Sequence, residues 1–138
     1  MLPGASGGAK WFALAGLDRY LFGTFFQTPR TRPLHGIGSS IGSWRMACLA
    51  QRDPVAALAR GHDAYVDWQR YSSRRPSAAE VSAVLGGCLG ALLGDTGVDE
   101  ILAHPCLEGG EPGGARGVDC TIHRAYTLPF ARIIRARA

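Results

Sequence analysis

Ser40 lies in the frame Gly38-x-Ser40-x-Gly42, within the stretch Gly36-Ile37-Gly38-Ser39-Ser40-Ile41-Gly42-Ser43-Trp44-Arg45. A serine with a glycine two residues away on each side is the pattern of a nucleophile elbow, a sharp turn from strand to helix that lifts one hydroxyl clear of a sheet. The chemistry it offers is acyl transfer, in which the hydroxyl attacks an ester carbonyl and takes up the acyl group. Glycine is needed at both flanks for steric reasons. The turn is strained, and it brings strand and helix so close that a Cβ there would collide. The same requirement selects among the local serines: Ser39 is flanked by Ile37 and Ile41, and Ser43 by Ile41 and Arg45, so only Ser40 stands between glycines.

A second stretch offers complementary chemistry. Residues 1–10, Met-Leu-Pro-Gly-Ala-Ser-Gly-Gly-Ala-Lys, read as a glycine-rich loop running straight into a helical pattern. Backbone N–H groups in such a loop at a helix start form an anion site. A phosphate site of the G-x-x-x-x-G-K-[ST] type is not met, because Lys10 is followed by Trp11, and G-x-G-x-x-G is not met either. The oxyanion formed when a serine attacks an ester is the better match, with Ser40 about thirty residues downstream. The plain alternatives are a flexible tail for this stretch and a simple connecting loop for the elbow.

The elements that must position these groups can be read from periodicity. Pro33-Leu34-His35-Gly36-Ile37 suits a short buried strand, and after the turn Ile41, Trp44, Cys48 and Leu49 recur on one helix face. Upstream, Phe12, Leu14, Ala15, Leu17, Leu21 and Phe22 form a broad apolar helical face, followed by a polar loop from Gln27 to Arg32. Asp53-Pro54 starts a helix running to about Arg70, with Asp as N-cap and Val55, Leu58, Ala59, His62, Tyr65 and Val66 on its apolar side. That position assigns His62 to the core rather than to chemistry. Ser77-x-x-Glu80 is a capping box opening a helix with the stripe Val81, Val84, Leu85, Cys88, Leu89 and Leu92. Gly86, Gly90 and Gly94, four apart on another face, permit close approach of a neighbouring backbone. Thr96 begins a short helix ending near His104-Pro105.

After Pro105 the character changes. Cys106 to Gly117 holds five glycines and no apolar period, which reads as loop or disorder. Val118 to Ile122 and Tyr126 to Ile134 are expected to form short strands, and Arg132 to Ala138 carries three arginines as a solvated basic tail.

Composition bounds the function. The chain has 138 residues, 46% of them apolar and 19% charged, which is globular rather than disordered. A formal charge of +4 permits contact with phosphate groups without demanding it, and nucleic-acid binding, resting on the basic tail alone, is not expected. Cys48, Cys88, Cys106 and Cys120 contain no C-x-x-C pair and suggest neither a zinc site nor a disulfide scaffold. Reduced cysteines on apolar helix faces point to a reducing, cytoplasmic setting. No signal peptide is visible, and the apolar runs Trp11 to Phe26 and Val81 to Leu93 are respectively interrupted by Asp18-Arg19 and too short for a bilayer span.

Together the glycine loop and the elbow resemble the patatin-like phospholipases. In that family a Gly-Gly-Gly-x-Arg/Lys-Gly loop supplies the oxyanion hole and G-x-S-x-G carries the nucleophile. The first motif maps onto Ser6, Gly7, Gly8, Ala9, Lys10 and Trp11, where Gly7, Gly8 and Lys10 match and Ser6 and Trp11 replace glycines. The second maps onto Gly38, Ser39, Ser40, Ile41 and Gly42. The resemblance spans roughly residues 3 to 104 and implies a partial three-layer α/β/α fold, helix-rich in this stretch, with 105–138 as a divergent glycine- and arginine-rich tail. It also implies a lipid acyl hydrolase with a serine–aspartate dyad, with Ser40 as nucleophile, Gly7 and Gly8 at the oxyanion hole, and no metal or organic cofactor. Its partners would be lipid or other acyl esters, with peripheral membrane contact and self-association as further expectations.

Two departures from the family pattern bear on activity. The dyad aspartate normally lies in a later Asp-Gly or Asp-Ala dipeptide, and none exists here; Asp119 is followed by Cys120. The family also places a strand before the glycine loop, whereas this chain is expected to begin almost inside it. Both departures read as an incomplete or frame-altered domain. The competing reading is a non-catalytic remnant or interaction module. A Ser…Asp…His triad from Ser40, Asp119 and His123 has the right order, but its last two members are too close in sequence to come from separate loops.

Overall fold

The computed structural model describes residues 2–28, 34–103 and 118–119. Among them the chain is a helix-rich α/β protein with a small parallel sheet. Strand β1 (Leu2–Gly4) leads into a 3-10 helix (Gly8–Leu14) that continues as α1 (Ala15–Gly23) and a second 3-10 turn (Phe25–Gln27). Strand β2 (Leu34–Gly38) then turns into α2 (Ile41–Leu49), followed by α3 (Pro54–Trp68), α4 (Ala78–Leu93), α5 (Gly97–Leu102) and β3 (Val118–Asp119). The strands lie in the order β1-β2-β3, both pairs parallel, with Gly4 opposite Gly38 and Asp119 opposite His35. Consecutive parallel strands require a crossover, which here runs through the 3-10 helix and α1.

The strand before the glycine loop corrects the expectation that the chain starts inside that loop. Three residues are too few to show a period of two, but paired in register with β2 they suffice to fix where the loop begins. Of the two later expected strands, only Val118–Asp119 is described; Tyr126 to Ile134, like the tail, lies outside the described residues.

Helix α2 is the centre of the fold, with all nine residues buried. The expected single apolar face of Ile41, Trp44, Cys48 and Leu49 is therefore only part of its packing. Around it gather Phe22, Leu58, Leu89, Leu92 and Ile101, each almost wholly removed from solvent. Cys48 and Cys88 sit in this core as small hydrophobes, and burial pushes both thiols up from their ordinary pKa. In β2, Gly36 and Gly38 are buried while Ile37 points the other way and stays 40% exposed, so the described residues close no second helical layer over it.

The helix starts behave as their residues dictate. Asp53 Oδ1 accepts from the Ala56 N–H at 2.9 Å, capping α3 ahead of Pro54. Ser77 Oγ accepts from the Glu80 N–H at 3.1 Å, and the Ser77 backbone N–H contributes in return to holding the Glu80 carboxylate, as the capping box requires. The same carboxylate also reaches to Ser72, accepting from its N–H at 2.7 Å and from its hydroxyl at 3.1 Å. These bonds hold the Glu80 carboxyl below its usual range.

Two patterned faces also differ from expectation. Val66, assigned to the apolar side of α3, is 66% exposed near the helix end. Among the described residues a Cβ at Gly86 or Gly90 would meet nothing within 4 Å and one at Gly94 only the Arg60 side chain, so no described backbone approaches that stripe. The close contact between α3 and α4 comes instead at Gly61, where a Cβ would stand 2.9 Å from Leu92 and 3.2 Å from Trp11.

Candidate active site

Ser40 occupies the turn between β2 and α2 with φ 53° and ψ −123°, and it is the only non-glycine residue at positive φ among the described residues. A side chain in this region costs about 1–3 kcal/mol, so surrounding contacts must enforce it. Those contacts are explicit. The Ser39 N–H donates to the Gly4 carbonyl at 3.0 Å, tying the turn to β1. The Gly42 and Ser43 N–H groups close on the Ser39 and Ser40 carbonyls, each at 2.9 Å. Ser43 Oγ, buried, donates back to the Gly38 carbonyl at 2.9 Å.

Both glycine flanks are required by contact. A Cβ on Gly38 would stand 2.5 Å from the carbonyl carbon and oxygen of Gly42, and one on Gly42 would run into the carbonyl of Gly4. Gly4 is in turn closed against Gly42, its own Cβ position lying 2.6 Å from the Gly42 oxygen. Three backbones thus meet at one point, which is why residues 4, 38 and 42 are all glycine.

Of the three local serines, Ser43 is spent on the Gly38 carbonyl, while Ser39 and Ser40 are exposed. Ser40 is the N-cap residue of α2, yet its side chain makes no capping bond, so its Oγ is free for another partner at the positive end of the helix. The N–H of Ile41 beside it has no acceptor among the described residues.

The glycine loop reaches the same end of the sheet. β1 and β2 run parallel with Gly4 opposite Gly38, so the loop after Gly4 and the turn after Gly38 leave neighbouring strands side by side. Ligand sites of parallel sheets form at these carboxyl ends. Gly8 has φ +54°, and the Lys10 N–H donates to the Gly7 carbonyl at 3.2 Å, which winds the loop directly into the 3-10 helix. Tyr65 of α3 braces this arrangement: its hydroxyl stands 3.2 Å from the Cβ position of Gly8, and its ring packs on Phe12 and on Trp44 of α2. Periodicity counted Tyr65 as core and gave no sign of this bridge.

A buried charge cluster beneath the site was also missed. Arg45 Nε donates to Asp18 Oδ2 at 2.8 Å and its terminal nitrogen to Oδ1, while Trp11 Nε1 donates to Oδ2 at 3.2 Å. The Arg45 guanidinium also lies 5.9 Å from the centre of the Phe22 ring. The signal in the sequence was Asp18 itself, the lone acidic residue among the first 52, set in an apolar run. His62 lies in the core as expected, edge-on to Trp11 at 4.3 Å, and burial holds its pKa below the ordinary value.

Asp119 is on β3 opposite His35, roughly 10 Å of strand back from Gly38 and the turn; His123 lies outside the described residues. Among the described residues no cluster of His, Cys, Asp or Glu is arranged to hold a metal ion, and no helix is long and apolar enough to cross a membrane. No family model, no curated protein and no solved structure matches the chain.

Proposed function

We propose that the chain carries the nucleophile of a serine acyl-ester hydrolase of patatin type acting on lipid esters. The observation that carries this reading is the backbone of Ser40, held at positive φ by the glycine contacts on either side while its hydroxyl is left exposed and uncommitted. A connecting loop has no need of that strain. In the proposed reaction Ser40 Oγ attacks the ester carbonyl carbon and loses its proton to an aspartate. The N–H groups around Gly7 and Gly8 hold the oxyanion, the alcohol leaves, and water releases the acid from the acyl-serine. A complete three-layer α/β/α domain belongs to the same proposal.

One observation favours a second reading, a non-catalytic interaction module. The register of β3 sets Asp119 towards the far end of β2 from Ser40, and Asp18 is committed to Arg45 and Trp11. A serine without a base is a weak nucleophile.

Fluorophosphonate labelling of the folded chain, with the adduct located by mass spectrometry, separates the two. Labelling at Ser40 that is lost in Ser40→Ala supports the hydrolase. No labelling of a chain shown to be folded by circular dichroism overturns it in favour of the module.

A further inference from the structure

Tyr65 of α3 links the two halves of the candidate site. Its ring meets Phe12 edge-on at 5.5 Å and Trp44 edge-on at 6.3 Å. Phe12 lies one turn beyond Gly8 in the 3-10 helix that the glycine loop enters, and Trp44 lies one turn beyond Ser40 in α2. The ring is therefore held by the loop and by the elbow together.

At its tip the ring presents a hydroxyl over Gly8. The Tyr65 oxygen stands 3.2 Å from the position a Gly8 Cβ would take, whereas the corresponding position at Gly7 is covered by the aliphatic stem of Lys10. Tyr65 is half-buried, and among the described residues its hydroxyl makes no hydrogen bond. A hydroxyl that served only to tie down the loop would be spent on one of its carbonyls; this one keeps its proton to give. The Gly7 N–H likewise donates to no backbone carbonyl among the described residues. An uncommitted backbone donor at Gly7 and an uncommitted side-chain donor over Gly8 thus serve one short loop.

We infer that the Tyr65 hydroxyl is a catalytic hydrogen-bond donor to the oxyanion held by the Gly7–Gly8 loop. The assignment rests on the hydrolase reading. As Ser40 Oγ bonds to the ester carbonyl carbon, the carbonyl π pair moves onto its oxygen and the Ser40 proton passes to the aspartate of the proposed dyad. The Tyr65 O–H donates to that oxygen and retains its own proton, adding to the N–H groups of the loop. Because Phe12 and Trp44 already fix the ring, the donor meets the charge without reorganisation. Gly8 is then glycine for two reasons: its φ is +54°, and the space of its side chain belongs to the hydroxyl.

The test is the rate at which a fluorophosphonate labels Ser40 in the full chain, wild type against Tyr65→Phe. In that reaction Ser40 Oγ bonds to phosphorus, fluoride leaves, and the phosphoryl oxygen takes the place of the oxyanion. Phe keeps both ring contacts, so circular dichroism and the urea midpoint should not change. Labelling should slow by roughly a hundredfold, in the range for loss of one oxyanion-hole donor. A second measurement separates donation from bracing. In a Ser40→Cys background, alkylation at position 40 by iodoacetamide, which develops no oxyanion, should proceed equally with and without Tyr65→Phe. Equal fluorophosphonate rates in wild type and Tyr65→Phe overturn the assignment and leave the hydrolase reading standing. So does a matching slowing of both reactions, because the hydroxyl would then be holding the elbow rather than meeting charge. No labelling of the folded wild type removes the hydrolase reading and this assignment with it.

Discussion

Asp18 of α1 and Arg45 of α2 form a two-point ion pair in the interior, 27 residues apart in sequence, and Trp11 donates to the same carboxylate. The pair and the buried ring of Phe22 lie on the same side of α1, which leaves Leu17 facing outward while Leu21 packs against the core. Burying two charges is itself costly, and the pair is better understood as fixing one orientation of α1 than as a source of net stability.

Removing one partner strands the other. Arg45→Met should lower stability by about 3–5 kcal/mol in urea unfolding, a large share of what a domain of this size has. Combining it with Asp18→Asn, which keeps an acceptor for Trp11, should recover most of that loss. If the double variant is as unstable as the single, the ion pair is not the interaction responsible.

Strain at Ser40 gives a stability test independent of any reaction. Ser40→Gly relieves a positive φ that Ser40→Ala retains. The glycine variant should be more stable than the alanine variant by about 1 kcal/mol in urea unfolding, a trade expected where function holds a side chain in a costly conformation. Equal stability of the two would mean that the turn relaxes and the serine is not held as described.

What could be read in advance followed the range of the forces involved. The turn at Ser40 is fixed by sterics within a few residues, so the frame Gly38-x-Ser40-x-Gly42 was enough to choose Ser40 over Ser39 and Ser43. The caps at Asp53 and Ser77 are likewise local. Contacts made across the chain were not legible: periodicity placed Leu14 and Leu17 inside because it weighs each side chain by its own polarity, while Asp18 finds its partner on another helix. The glycine stripe on α4 failed for a related reason. Small residues permit an approach, but only the positions of other elements decide whether one occurs, and the approach fell at Gly61.

That distinction predicts opposite signs for the same substitution at two glycines. Gly42→Ala forces its methyl into the Gly4 carbonyl, backbone against backbone, and should destabilise by about 3 kcal/mol while separating β1 from the turn. Gly86→Ala meets open space inside a helix and should stabilise by about 0.5–1 kcal/mol. Thermal unfolding of the two variants reads both, and a stabilising Gly42→Ala would contradict the three-backbone contact.

His62 makes stability depend on pH in a window of its own. Its Nε2 is buried with no hydrogen-bond partner among the described residues, and its pKa is lowered from 6.5. Burial is the main cause, opposed by Asp18 and Asp63 and reinforced by Arg19. Above pH 6.5 the imidazole is neutral in both states and its contribution is fully present. As pH falls below that value the unfolded chain takes up a proton that the folded chain resists, so stability declines until the lowered folded pKa is passed. Glu80 and Glu100, whose carboxyls are held below their usual 4.5, lose their contributions only in more acid solution. Between about pH 7.5 and about pH 5.5 the wild type should therefore lose more stability than His62→Phe in paired urea titrations. An equal loss in the two would show that another group titrates in this range and that His62 is not held neutral by its surroundings.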